Sequence, residues 1–178
     1  MNCFSIQSAR MMWRTSGAGE LYAYVPQTSV NANALANAIP KTHVAPNDVY
    51  GTSVGRGSFK WKTGAWTNIS QRVKLNTVGK ADGEMEIFVD GQSTISVTGL
   101  ELRTSSSSRV RGMQIQTFFG GGHSYCYYLA HAASLNGFIF RTRFDLGISQ
   151  EAELLFQGFL GRNYQLNNGI VAQDVYIH

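Results

Sequence analysis

The chain has 178 residues, of which 43% are hydrophobic, 12% aromatic and only 15% charged, enough apolar material for one domain with a real core. Fifteen Lys and Arg against eleven Asp and Glu leave a net charge of +4, a mild bias towards acidic partners that excludes tail-like or histone-like basicity. No run reaches the roughly 18 consecutive apolar residues of a membrane-spanning helix, and nineteen Gly with only three Pro, eight Tyr and ten Phe favours short strands and turns over helices.

In chain order, residues 3–13 and 20–25 are patterned runs separated by Ser16-Gly17-Ala18-Gly19, and they read as a hairpin. Residues 28–48 show no clear period and carry Pro40 and Pro46, so they read as a long loop with one helical turn. Alternation resumes over 57–62, 68–76, 83–89, 93–97 and 109–119, a serial antiparallel pattern. Asp90-Gly91 joins two of these runs, and both residues tolerate the positive φ of a tight hairpin turn. After residue 122 the pattern weakens, with strand-like runs only at Phe138-Ile139-Phe140 and Val175-Tyr176-Ile177. The expectation is an all-β fold, an antiparallel β-sandwich or jelly roll, in one domain over 1–178 with a divergent stretch at 123–178.

The alternation assigns faces. Met85, Ile87 and Val89 share one side against Glu84, Glu86 and Phe88, and Leu21, Ala23 and Val25 alternate with Glu20, Tyr22 and Tyr24. Val73 and Leu75 point inward, while Arg72, Lys74 and Asn76 set a guanidinium, an ammonium and an amide in a row at roughly 6–7 Å intervals on the other side. That row suits an acidic polymer, or equally a solvated face or a strand edge guarded by lysine. Tyr22 and Tyr24 form a second row, suited to a binding face or to ordinary cross-strand packing. Gln114 and Gln116 alternate with Met113 and Ile115, a pair of amides able to hold a carboxylate or sugar hydroxyls, and His123 follows at the rim after three glycines.

Charge is uneven: residues 1–80 hold nine Lys or Arg and two acids, and 81–178 hold six and nine. Phosphate loops, dinucleotide fingerprints, zinc-ligand spacings and Gly-x-Ser-x-Gly are all missing, so no cofactor is expected, and no set of metal-ligating residues stands out to decide metal dependence. Cys3 and Cys126 allow one disulfide at most, Asn68-Ile69-Ser70 is a glycosylation triplet, and residues 1–30 show no signal pattern. The chain therefore reads as either cytosolic or a mature, secreted fragment, and the fragment is the expectation because Cys3 to Trp13 already has the pattern of the interior of a structured element.

Taken together, Met11-Met12-Trp13-Arg14, the block 17–24 ending Glu20-Leu21-Tyr22-Ala23-Tyr24, and Ser53-Val54-Gly55-Arg56-Gly57-Ser58-Phe59 resemble the polysaccharide lyase family 14 domain. Gln71-Arg72-Val73-Lys74-Leu75-Asn76, Val89-Asp90-Gly91 and the run from Arg111 to Gly121 containing Thr117-Phe118-Phe119-Gly120-Gly121 extend the resemblance, in order and spacing, over about residues 8–122. It implies a β-jelly roll whose concave sheet binds a polyuronate, alginate or glucuronan, and cleaves it by β-elimination. On that basis Lys74 matches the strand lysine, as base or carboxylate stabiliser, with Tyr22 and Tyr24 lining the cleft and one of them acting as acid. Arg72, Asn76, Arg103, Gln114, Gln116 and His123 would hold substrate. Three positions depart from the pattern the resemblance implies: Glu101, two before Arg103, stands where a small polar residue is implied, and Gln114 and Gln116 stand near where tyrosines at alternate positions are implied on the strand ending Phe118-Phe119-Gly120-Gly121. These departures favour the alternative, a non-catalytic glycan-binding module on the same scaffold. In either case the expected partner is an acidic polysaccharide, met outside the cell by a monomer, with no part for nucleic acid or membrane.

Overall fold

The computed structural model describes residues 7–41, 44–45, 51–62, 65–119, 138–143, 151–159 and 169–177, with side-chain packing between residues 8 and 110. Cys3, His123 and Cys126 lie outside the described residues. In order the elements are β1 (Gln7–Trp13), β2 (Ala18–Tyr24), α1 (Ser29–Ala36), β3 (Val44–Ala45), β4 (Thr52–Lys60), β5 (Trp66–Lys74), β6 (Gly83–Val89), β7 (Gln92–Leu100), β8 (Val110–Phe119), β9 (Phe138–Arg143), β10 (Glu151–Phe159) and β11 (Gly169–Ile177).

Two antiparallel sheets face each other, the first ordered β3-β4-β2-β1-β11-β8 and the second β7-β6-β5-β10-β9. The fold is the expected all-β sandwich. Its core comes from the alternate positions of both sheets: Ala9, Met11, Leu21, Ala23 and Val54 of the first belong to one buried cluster with Ile69, Val73, Met85, Ile87 and Ile95 of the second. Asp90 and Gly91 adopt φ of 50° and 82°, so the β6–β7 hairpin turns where the sequence places it. Gln71 shares the inward side of β5 with Ile69 and Val73, is 0% exposed, and has no hydrogen-bond partner for either amide atom among the described residues. A desolvated, unpaired amide opposes folding. Gln71→Met, which keeps the volume and removes the polar atoms, is expected to raise stability by about 1–3 kcal/mol, read as a higher urea midpoint at unchanged slope.

The long loop expected over 28–48 instead begins with an eight-residue helix, α1. The Asn-Ala repeat has no apolar stripe, and only Asn31 and Leu35 of α1 are buried. Helix is stabilised here by the Thr28 N-cap, whose hydroxyl accepts the Asn31 N–H at 3.2 Å, and by tertiary anchoring. The Asn31 amide donates to the Glu101 carbonyl at 3.0 Å and accepts the Glu101 N–H at 2.7 Å, tying α1 to the chain beyond β7. A second difference lies in the tail, where β10 was not legible because Glu151-Ala152-Glu153-Leu154-Leu155-Phe156 loses its alternation at Leu155. β10 pairs with β5 along nine positions, and β11 lies between β1 and β8.

Candidate active-site face

The side of the first sheet that faces away from the core carries both tyrosines. Cross-strand partners share a face, and the register links Ser53, Tyr22, Arg10, Asp174 and Gln114 into one row across β4, β2, β1, β11 and β8. A neighbouring row holds Tyr24, Ser8, Tyr176 and Gly112. Tyr22 and Tyr24 meet edge to face, with ring centroids 5.3 Å apart. The Arg10 guanidinium lies 4.7 Å from the Tyr24 ring centre and that of Arg14 lies 5.5 Å from the Tyr22 ring centre. Gly51, at φ 129°, brings its backbone so close that an added Cβ would stand 3.2 Å from each tyrosine ring.

Beside Tyr22, on the same side of β2, the Glu20 carboxylate is fully buried. Both its oxygens are paired. Arg14 donates to Oε1 from Nε at 2.6 Å and from Nη2 at 2.5 Å, while Arg56 Nε and the Ser53 hydroxyl each donate to Oε2 at 2.6 Å. Ordinary alternation would put Ser53 and Arg56 on opposite sides of β4. A register shift opposite Glu20, with Gly55 at φ 66° and Gly57 at φ 84°, turns Arg56 back onto the carboxylate. Among the described side chains, two guanidiniums against one acid leave surplus positive charge next to the tyrosine pair. Burial, and then the neighbouring Tyr24, hold the Tyr22 phenol above its usual range, so that it keeps its proton to more alkaline pH than an ordinary phenol does.

Arg72 and Lys74 are elsewhere. They alternate with the inward Ile69, Gln71 and Val73, and so project from the far side of the second sheet, across the sandwich from Tyr22 and Tyr24. The Arg72 guanidinium reaches Glu84 at 2.7 Å and Glu86 at 3.0 Å, and the Lys74 ammonium reaches Glu84 at 2.9 Å. The hydrogen bond from the Lys74 ammonium holds the Glu84 carboxyl below the usual carboxylate range. Glu86 also accepts the Ser93 hydroxyl. The row of cations is thus matched by a row of acids on β6, and the register sets Glu151 and Glu153 of β10 opposite Lys74 and Arg72 on the other flank.

Asn76 does not extend that row. It lies past the end of β5, 1% exposed, and its side chain accepts the Leu102 and Arg103 N–H groups at 2.8 Å each. It also donates to the carbonyls of Thr77, Lys80 and Arg103 at 3.0, 3.1 and 3.1 Å. Arg103, 8% exposed, spends its guanidinium on the carbonyls of Asn76 at 2.8 Å and Ser108 at 3.1 Å. Both residues close loops where an open contact to substrate was expected, because a buried amide and a buried guanidinium must pair with the backbone around them. Gln114 continues the Tyr22–Arg10 row in register, and Gln116 lies opposite Ala172 on the same pair of strands.

The structure therefore brings Tyr22 and Tyr24 together with the positions of Gln114 and Gln116, and separates them from Lys74 and Arg72. Sequence reasoning missed Arg10, Arg14 and Arg56 as site residues. The available signal was Glu20: an acid on a strand otherwise apolar and aromatic needs cations if that face is covered.

The family model described as Polysaccharide lyase 14 matches residues 1–133. Among solved structures, the chain is similar to the crystal structure of the marine PL-14 alginate lyase from Aplysia kurodai, with 21% identity and a TM-score of 0.42 over 93% of this chain. The chain spans about half, 49%, of the length of that one. No curated protein sequence matches it.

Proposed function

The chain belongs to the polysaccharide lyase 14 family, and from that premise we propose that it cleaves an acidic polyuronate, alginate or glucuronan, by β-elimination on the outward face of the first sheet. The reading is carried by one observation, the pair of tyrosine rings each flanked by a guanidinium, Arg10 at Tyr24 and Arg14 at Tyr22. Elimination needs the C5 carboxylate neutralised, the C5 proton removed and the departing O4 protonated. Arg10 and the surplus charge of the Arg14, Arg56 and Glu20 cluster neutralise the carboxylate. Tyr24, entering the step as phenolate, takes the C5 proton and becomes the neutral phenol as the C4–C5 double bond forms and the C4–O4 bond breaks, and the protonated Tyr22 delivers a proton to O4. A polymeric substrate of this kind is met outside the cell.

Lys74, which the family resemblance suggests as base, acts in this reaction only if the polymer lies on the second sheet instead. Ultraviolet detection of the unsaturated product, using polymannuronate, polyguluronate and glucuronan, separates the two faces. Product lost in Tyr22→Phe, the expected result, assigns the reaction to the first sheet; product lost only in Lys74→Ala moves it to the second. Gln114 and Gln116, standing near where the family resemblance implies tyrosines at alternate positions, favour a second reading as a non-catalytic glycan-binding module. That reading is the outcome if the polymer binds, more weakly as salt rises, and no unsaturated product forms.

A further inference from the structure

Glu20 has no step in the reaction above, yet it is the most completely enclosed charge in the described part of the molecule. Its side chain is 0% exposed, while those of its partners Arg14 and Arg56 are 25% and 38% exposed. Four donors from three residues converge on it, and one of those residues, Arg14, also lies against the ring of Tyr22. A carboxylate placed only to balance charge could sit at the surface, where ion pairs cost little desolvation. Enclosed between β1, β2 and the β4 bulge, this one fixes where a guanidinium can be.

We propose that Glu20 is a positioning residue, which locks the Arg14 guanidinium against the ring of Tyr22 and offsets part of its charge there. The proposal deepens the lyase reading and rests on it for its catalytic meaning. Tyr22 is flanked on its own strand by Glu20 and Tyr24, and from β1 by Arg10 opposite and Arg14 beyond the strand end. From β4 it is faced by Ser53, with Arg56 turned onto Glu20, and Asp174 of β11 continues its row behind Arg10. An unscreened Arg14 would draw Tyr22 towards its phenolate, whereas the Glu20 charge opposes this. The arrangement keeps a cation close enough to attract a uronate carboxylate while the adjacent phenol retains the proton it must give to O4.

Because Glu20 and Arg14 act on Tyr22 with opposite sign, two variants test the proposal in opposite directions. The tyrosine ring carbons of the full chain are labelled with 13C, the Tyr22 resonance is assigned by its disappearance in Tyr22→Phe, and its titration is followed by NMR. Glu20→Gln removes the anion and leaves the cation, so the Tyr22 titration is expected to shift to lower pH. Arg14→Gln removes the cation and leaves Glu20 held by Arg56 and Ser53, so the shift is expected to higher pH. A residue that merely supports the fold would move both in the same direction or neither, and either result overturns the proposal. If Glu20→Gln does not fold, the Arg14→Gln titration decides alone, an unmoved Tyr22 overturning it. With the lyase active, Glu20→Gln also moves the alkaline limb of the pH–rate profile to lower pH. A chain that forms no unsaturated product refutes the lyase reading, while the titration still decides the role of Glu20.

Discussion

Tyr22→Phe is expected to lower formation of unsaturated product by about 10²- to 10⁴-fold, the range for losing one general acid or base. The variant removes a single oxygen. The ring stays, and with it the edge-to-face contact with Tyr24 and the approach of Arg14 to its face, so stability and polymer binding should change little. The loss should accordingly fall on kcat rather than KM, since the proton is needed as the C4–O4 bond breaks. The assay is ultraviolet absorbance of the product under saturating polymer, with far-ultraviolet circular dichroism as a check on folding. Equal turnover by the variant and the unaltered chain would remove Tyr22 from the reaction.

Asn76→Ala is expected to cost about 3–5 kcal/mol of stability, near the top of the range for single substitutions. The side chain accepts two backbone N–H groups, from Leu102 and Arg103, and donates to three carbonyls on two loops. Alanine leaves both N–H groups without a partner in a region where Leu102 is 0% exposed, and each unpaired buried donor costs about 1–3 kcal/mol. The Arg103 guanidinium, held at the Asn76 carbonyl, loosens as the loops separate. Urea unfolding reads the effect as a lowered midpoint with unchanged slope. A loss below about 1 kcal/mol would mean that water replaces the amide at this junction.

Much of the fold was legible because its signals are local. Met85, Ile87 and Val89 alternate with Glu84, Glu86 and Phe88 in the sequence as they do in β6, and Asp90-Gly91 fixes the turn by its own backbone preference. What was not legible depends on distant partners. Arg72 and Lys74 look like an open cationic row along one strand, but Glu84 and Glu86 answer them from β6, and that pairing is set by the β5–β6 register across the loop that follows β5. Asn76 looks like the next member of the row until the strand ends at Lys74 and the 101–108 segment comes to meet it. Arg56 reaches Glu20 only through a bulge that breaks the two-residue period. The helix α1 has no periodic face to read, since its placement relies on Thr28 and Asn31.

The positions of β10 and β11 bear on how the chain reaches this fold. Each is an interior strand, yet each comes from the last part of the sequence: β11 joins β1, the first strand, to β8, and β10 joins β5 to β9. During synthesis, β1 and β5 therefore leave the ribosome long before their second neighbours, β11 and β10, exist, each with one hydrogen-bonding edge open to other chains. The entropy of closing such long loops must be met before the pairing rewards it, which makes folding slow and dependent on the final segment. Until residues 151–177 are made, the β1 and β5 edges are the places where this topology exposes the growing chain to pairing with other chains.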